Sequence, residues 1–251
     1  MAIKTRKISD WLSANGQAVT NASKATMEDT IRTDIGQLYD GVFIMFHRKS
    51  DNYPLAVRVS SWESYQTGGE IAEGVLLVEG GKHLVIAPTE ASSAKWSSKP
   101  VSSSDTSGSV QISGVTTTSD RIAALNDFAG RANTTAIING STSSNVTNTE
   151  DYAAGFCNRY SRTNANGKGL TAGRWWLPSI GEMAMIWANF DKINYALSKI
   201  NGATQLQTTW YWTSTQRSAT TAWFLHLGDG NVGNYYKCNQ YTVRPVSAFL
   251  N

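Results

Sequence analysis

The chain has 251 residues, a formal net charge of +3 and only 16% charged residues, well below the roughly 25% of ordinary globular chains. Serine, threonine, asparagine and glycine take the place of charge, which favours many turns and polar loops over long charged helices. The basic residues form no patch beyond Lys4–Lys7, so we expect no nucleic-acid partner. No run approaches the roughly 20 apolar residues of a membrane span, so we expect no membrane insertion.

The first 40 residues differ from the rest of the chain. Met27, Ile31, Ile35 and Leu38 follow helical spacing after a capping threonine at position 26. This narrow apolar stripe indicates either docking within the chain or self-association. No apolar run follows the positive charges near Met1, so we expect no secretory signal. We therefore expect the protein to be assembled in a cytoplasm.

Short strands and turns are predicted next, followed by a long polar loop at 97–119. The predicted strands are the segments "GVFIMFH", "LAVRVSSW", "EGVLLVEG" and "KHLVIAP". A partly helical segment is expected at 119–138 and another short helix at 148–159.

The clearest helix signal follows two tryptophans that we assign to the core, Trp175 and Trp176. Ser179 and Glu182 form an S-x-x-E capping box. The apolar face that follows predicts one helix ending near Asn201-Gly202. Its members are Ile180, Met183, Ala184, Trp187, Phe190, Ile193 and Leu197.

The C-terminal stretch has the period of two of half-buried strands. Trp223, Leu225 and Leu227 alternate with Phe224 and His226 before turn residues at 228–230. If the first set faces the core, Phe224 and His226 face solvent, with Tyr235 and Tyr236 on the return strand. Exposed tyrosine, histidine and asparagine are typical of recognition surfaces. Pro245 lies within the last predicted strand, so we expect that strand either to lie at a sheet edge or to be interrupted.

Signals for catalysis or metal binding are weak. His47, His83 and His226 have no neighbouring pattern of a catalytic set, and no cysteine–histidine spacing fits zinc. Asp229 with Asn231 and Asn234 matches turn chemistry better than a calcium site. We therefore expect no metal, no cofactor and no enzymatic activity. Cys157 and Cys238 leave open one disulfide or two free thiols, the latter being favoured.

Four C-terminal segments carry a family resemblance: "GRWWLPSIGEM", "TTWYWTSTQ", "AWFLHLGDGNV" and "VRPVSAF". They resemble a bacterial and phage branch of the C-type-lectin fold. That branch includes formylglycine-generating-enzyme-like domains and the variable proteins of diversity-generating retroelements, and the phage major tropism determinant shares its fold. The resemblance implies an α+β, C-type-lectin-like domain at 71–251 with two helices and a mostly antiparallel sheet. Residues 1–70, a small helical and β segment, would serve attachment or oligomerisation.

The resemblance also implies a fixed scaffold with exchangeable ligand-binding positions between its members. The scaffold would be Trp210, Trp212, Ser214, Thr215, Ala222, Trp223, Leu225, Leu227, Gly230, Val232, Lys237, Val243, Arg244, Pro245 and Val246. The ligand-binding positions would be Arg217, Thr220, Phe224, His226, Gly228, Asp229, Gly233, Tyr235, Tyr236, Cys238, Asn239 and Tyr241. The residue types at the second set are those that mutation of asparagine codons at their adenines produces.

The function implied is receptor binding by a phage tail-fibre or tail-tip protein. Its partners would be a protein or glycan receptor on a bacterial host and, through the N-terminal segment, other virion proteins. A homo-oligomer is expected, with a trimer favoured, located in the virion. The alternatives are a bacterial cell-surface adhesin and a formylglycine-generating-type enzyme. The lectins' calcium motifs and the enzymes' paired cysteines are both missing from the sequence.

Overall fold

The computed structural model describes residues 39–105, 107–109 and 111–248. The strands are β1 (Gly41–His47), β2 (Pro54–Arg58), β3 (Gly74–Glu79), β4 (Lys82–Ile86), β5 (Ala91–Lys95), β6 (Arg162–Thr163), β7 (Gly169–Leu170), β8 (Trp210–Gln216), β9 (Thr221–His226), β10 (Val232–Tyr236), β11 (Gln240–Val243) and β12 (Val246–Ser247). The α-helices are α1 (Trp62–Thr67), α2 (Arg121–Leu125), α3 (Gly130–Asn139), α4 (Ser141–Ser144), α5 (Ala153–Arg159), α6 (Ile180–Ala188) and α7 (Phe190–Leu197). A short 3-10 helix, Val59–Ser61, precedes α1.

The predicted α+β class is confirmed, with two five-stranded sheets and more, shorter helices than the two expected. The first sheet has the order β12-β4-β3-β1-β2 and is antiparallel throughout. The second has the order β10-β9-β8-β11-β5 and is antiparallel except where β11 runs parallel to β8. As predicted, Pro245 separates two strands, and the chain crosses there from the second sheet to the first.

Strands β1 and β2 belong to the same sheet as β3, β4 and β12. β1 lies between β2 and β3, with Ile44 opposite both Val57 and Val75. The compact unit accordingly begins at Tyr39, and the boundary we placed after residue 70 would cut through a sheet. The sequence left this open because short apolar strands do not reveal which strand is their partner. The predicted helix at Met27–Leu38 lies outside the described residues.

The predicted helix after Ser179 is divided in two at Asn189. The Asn189 side chain donates hydrogen bonds to the Glu79 carboxylate (2.7 Å) and to the Met185 carbonyl (3.1 Å), which marks the end of α6. Trp187, which we placed on the apolar face, is 41% exposed, whereas Trp175 and Trp176 are buried as expected.

Two apolar cores lie on opposite faces of the second sheet. The larger core joins the first sheet, α6 and α7 to side chains such as Tyr211, Trp223 and Leu225. The smaller core joins residues of α3 and α5 to Trp212 and Phe224. Strands β8 and β9 are therefore covered on both faces. In the described part of the chain, no helix is long and apolar enough to cross a membrane.

The capping box of α6 makes stability depend on pH. Glu182 is almost completely buried, and its carboxylate accepts hydrogen bonds from the Ser179 backbone (2.8 Å) and Trp176 Nε1 (3.2 Å). Burial raises the pKa of Glu182 from its ordinary 4.5 to about 7, and the nearby Asp127 carboxylate also raises it.

Between pH 4.5 and 7 the folded state then binds more protons at Glu182 than the unfolded state. We expect the free energy of unfolding to fall by up to about 3 kcal/mol as pH rises through this range. Urea unfolding at pH 4.5 and 7 measures the change, and Glu182→Gln should remove most of it. The buried Lys237, whose pKa desolvation lowers to about 7, affects stability above that range. An equally steep pH dependence in Glu182→Gln would contradict this assignment.

Candidate functional site

Aromatic side chains from four adjacent strands meet on one face of the second sheet. Trp210 pairs with His226, and Trp212 pairs with Phe224, so these four side chains share that face. Tyr235 of β10 and Tyr241 of β11 extend the same surface on either side. We call these six residues the aromatic face.

The rings of the aromatic face are in mutual contact. Ring centroids lie 4.4 Å apart for Trp210 and His226, 4.6 Å for Trp210 and Phe224, and 4.6 Å for Trp212 and Tyr241. Tyr241 also lies 5.4 Å from Phe224 and 6.4 Å from Tyr235, mostly in tilted or edge-on geometries that aromatic pairs prefer. The cluster therefore orders its own exposed members.

Exposure increases across the aromatic face. Trp212 is fully buried and Phe224 is 8% exposed, whereas 22% of the His226 side chain and 46% of Tyr235 reach solvent. A partner would therefore meet the half-buried and exposed rings, and the buried pair would hold them from below.

The prediction that Phe224 faces solvent is wrong. Phe224 does point away from Trp223, as the alternation requires, but that side of β9 is also covered by an apolar core. Gly233 lies directly opposite, and a Cβ atom there would come within 2.5 Å of the Phe224 ring. Trp210, which we expected to be buried, is instead partly exposed on this face.

The other predicted ligand-binding residues lie at the two ends of the same strands. Arg217 and Thr220 occupy the β8–β9 turn, and Cys238 and Asn239 the β10–β11 turn at the same end. The two turns are joined by a hydrogen bond from the Lys237 backbone N–H to the Thr220 carbonyl (3.1 Å).

Gly228 and Asp229 occupy the β9–β10 turn at the opposite end of the strands. The Asp229 carboxylate is hydrogen-bonded to the Asn231 backbone N–H (3.0 Å) and to His226 Nδ1 (2.8 Å). These bonds hold the pKa of Asp229 below its ordinary value. The turn thereby fixes the orientation of the His226 ring.

Tyr236 alternates with Tyr235 along β10 and is half-buried, with its ring centroid 5.7 Å from that of Tyr235. The structure thus distributes the predicted residues over one sheet face, one strand edge and the turns at both ends.

Lys237 is a predicted scaffold residue that is buried although its neighbours in the β10–β11 turn lie at the surface. Its ammonium group is buried, hydrogen-bonds to Gln216 and lies 4.4 Å from the centre of the Trp96 ring. Its carbonyl accepts backbone hydrogen bonds from Trp96 and Ser97, each 3.0 Å long. These contacts fix the β10–β11 turn while its neighbours remain at the surface.

The predicted scaffold residues and the predicted ligand-binding residues differ in burial. Every predicted scaffold residue is buried except Trp210 and Gly230. Every predicted ligand-binding residue is half-buried or exposed except Phe224. Side chains could therefore be exchanged at most positions of the second set without entering a core.

Sequence reasoning missed Trp210 and Trp212 as members of the site. Both were assigned to the fixed scaffold and not to the ligand-binding positions. The alternation within "WYWTST" places Trp210 and Trp212 on one face and Tyr211 on the other. Deciding which face needed the strand register, which the sequence did not reveal.

The described residues contain no group of three or more histidine, cysteine, aspartate or glutamate side chains placed to hold a metal ion. Cys157 and Cys238 are free thiols. Complete burial raises the pKa of Cys157 well above its ordinary value, so this thiol stays protonated and unreactive.

Residues 131–247 match the family model of the Lcl C-terminal domain. This stretch covers α3 to β12, including the whole aromatic face, and the match supports the class inferred from the sequence. No curated protein matches the chain.

Among solved structures, the chain is similar to a fimbrial protein from Bacteroides ovatus ATCC 8483, with 20% sequence identity and a TM-score of 0.43. The match covers 66% of this chain and 36% of the fimbrial protein, so it spans about a third of that protein's length.

Proposed function

We propose that the chain is a receptor-binding protein whose aromatic face and adjoining turns bind a ligand on a bacterial cell surface. The observation that carries the proposal is the arrangement of surface residues on strands whose other side chains are buried. Partly exposed rings supply large contact area at low entropic cost. Strands hold them more precisely than loops would.

The features of the aromatic face suit a macromolecular or glycan partner. It is a broad surface with His226 and Asp229 at one end and Arg217 at the other, so polar groups flank the cluster of rings. Such a mixture of aromatic anchors and a polar rim is typical of protein interfaces. The match to the Lcl C-terminal domain over these strands supports the assignment to a class of binding domains.

We further propose that the protein is a diversified component of a phage tail, present as a homo-oligomer with a trimer favoured. The resemblance to variable proteins of diversity-generating retroelements supports this, as does the burial pattern of the exchangeable positions. Residues 1–38, which precede the first sheet, would attach the protein to other virion proteins.

Light scattering on the full chain should give a mass above that of one 27.3 kDa chain. A monomer at micromolar concentration would contradict oligomerisation.

The two alternative functions would require other properties of the protein. A bacterial surface adhesin would use the same aromatic face but would be recovered with the cell envelope and not with purified virions. A formylglycine-generating-type enzyme would need paired active-site cysteines, whereas Cys157 and Cys238 are two separate free thiols and Cys157 is completely buried.

Hydrogen–deuterium exchange can map the binding surface. The full chain would be compared alone and adsorbed to envelope fragments of a bacterial strain that it binds. We expect slower exchange in peptides covering 217–241 and unchanged exchange in 130–139 and 190–197, which lie on helices. Protection confined to the helices would contradict the proposed site.

A further inference from the structure

The edge of the second sheet at β10 is open. β10 is the last strand in the order of that sheet, and among the described strands it pairs only with β9. Its sequence, VGNYY, contains no proline and no charged side chain, two of the features by which proteins keep an edge strand from pairing with another chain. Residues 233–236 are half-buried or exposed. An unprotected edge of this kind can accept a further strand.

The register with β9 shows which backbone groups of β10 face outward. Asn231 accepts a backbone hydrogen bond from β9 (2.9 Å), and Lys237 donates one to the β8–β9 turn (3.1 Å). Because hydrogen-bonded pairs recur at every second residue of an antiparallel ladder, the odd-numbered residues of β10 bond to β9. The N–H and C=O groups of Val232 and Asn234 therefore point away from β9. Among the described residues, no backbone hydrogen bond reaches them.

The outward set continues to Tyr236. The Tyr236 carbonyl accepts from the Asn239 backbone N–H (3.0 Å) in the β10–β11 turn, while its own N–H points outward. The edge thus presents backbone donors and acceptors at two-residue intervals, about 7 Å apart. An extended polypeptide backbone offers acceptors and donors at the same spacing.

The other sheet edges are covered or interrupted. On the outer side of β5, the Lys95 N–H donates to the Asp151 carbonyl (3.1 Å). β12 has only two residues, and Val246 exchanges two backbone hydrogen bonds with Trp176 on its outer side (2.8 and 3.0 Å). β2 begins at Pro54, which has no N–H to donate. Among the described strands, β10 is therefore the edge best suited to pair with another chain.

The open edge adjoins the aromatic face. Tyr235 lies between the outward-facing residues Asn234 and Tyr236, and it is the most exposed ring of that face. Since side chains alternate along a strand, a strand added beside β10 would place every second side chain next to Tyr235. The added strand would extend the aromatic face by one strand.

We propose that β10 binds an extended segment of a protein receptor by strand addition, with apolar or aromatic side chains of that segment against Tyr235. The inference rests on the proposed receptor-binding function and specifies a polypeptide as the partner. Pairing of β10 with a second copy of this chain would cover the Tyr235 ring and remove it from the receptor-binding surface. Self-pairing is therefore treated as an outcome that overturns the proposal.

Chemical treatment of the partner tests its class. Adsorption of the full chain would be measured on envelope fragments of a bacterial strain that it binds, after treatment with proteinase K or with periodate. We expect proteinase K to lower adsorption at least about tenfold and periodate to leave it unchanged. Loss of adsorption after periodate alone would show a glycan partner. That result would overturn strand addition and leave the receptor-binding proposal standing.

A pair of variants at Asn234 tests the backbone contact. Asn234→Pro removes an outward N–H without removing a bond to β9, so it should melt close to the parent and weaken adsorption about tenfold or more. Asn234→Ala removes the same side chain but keeps the N–H, and should adsorb within about threefold of the parent. Equal adsorption by these two variants, both folded, would overturn strand addition. If Tyr235→Ala nevertheless adsorbs weakly, the receptor-binding proposal survives.

Residue-resolved hydrogen exchange tests the same contact without a variant. In the unbound chain we expect fast exchange at the amides of Asn234 and Tyr236, and slow exchange at those of Gly233 and Tyr235, which bond to β9. On envelope fragments, exchange at Asn234 and Tyr236 should slow at least about tenfold. Slow exchange at these two amides in the unbound chain would show that the edge is already covered. That result, or no change on adsorption, would overturn the proposal.

Discussion

Replacing Arg244 with methionine is expected to lower the free energy of unfolding by about 3–5 kcal/mol. Arg244 is completely buried, and its Nη2 atom lies 2.7 Å from a Glu90 carboxylate oxygen. Its guanidinium also donates to the carbonyls of Ala87 (2.9 Å) and Thr204 (3.0 Å). Removing it leaves the Glu90 side chain, which is 9% exposed, accepting from the Tyr211 hydroxyl (2.7 Å) but without its counter-charge.

The location of Arg244 connects this effect to the aromatic face. Arg244 lies between β11 and β12, where the chain passes from one sheet to the other, and β11 carries Tyr241.

Urea unfolding measures how far Arg244→Met lowers the free energy of unfolding. The double variant Glu90→Gln/Arg244→Met should be more stable than Arg244→Met alone, because it removes the uncompensated charge. If the free energy of unfolding of Arg244→Met lies within about 1 kcal/mol of that of the parent, the ion pair between Arg244 and Glu90 contributes little to stability.

Truncating Trp223 to alanine is expected to cost about 3–5 kcal/mol of stability. Trp223 is 4% exposed, lies in the core beneath α6, and donates from Nε1 to the Thr118 carbonyl (3.0 Å). The truncation would open a cavity and leave that carbonyl without its donor. Thermal or urea unfolding measures the loss.

Trp187→Ala is the matched control for Trp223→Ala, because it removes the same side chain from a site that is 41% exposed. We expect it to cost about 1 kcal/mol or less. Equal destabilisation by the two variants would contradict the burial assigned to β9.

The C-terminal strands were largely predictable from the sequence. Alternation correctly placed Trp223, Leu225 and Leu227 together in a core, and Pro245 correctly marked a strand boundary. These features depend on local periodicity and backbone chemistry, which a single sequence contains. The capping box at Ser179 and Glu182 was found for the same reason.

What could not be predicted depended on contacts between distant segments. Phe224 was assigned to solvent because alternation separates two faces but does not show whether the second face is also covered. Strands β1 and β2 were assigned to an appendage because the pairing that joins them to the domain, that of β1 with β3, spans about thirty residues. The contact between the buried Glu73 carboxylate and the His47 ring (2.8 Å) was missed because 26 residues separate the two side chains in the sequence.

The central claim, that the aromatic face binds the receptor, is tested most directly by measuring adsorption and melting temperature together in a pair of tyrosine variants. Tyr235→Ala removes a ring of the aromatic face that is 46% exposed, and Tyr195→Ala removes one on α7 that is 57% exposed. We expect both variants to melt close to the parent, because exposed truncations change stability little. Tyr235→Ala should weaken adsorption to host cells or their envelope about thirtyfold, as loss of an interface hot spot worth ~2 kcal/mol does, and Tyr195→Ala should adsorb like the parent. Parent-like adsorption by Tyr235→Ala, or equal loss in both variants, would contradict the assignment of the aromatic face as the receptor-binding site.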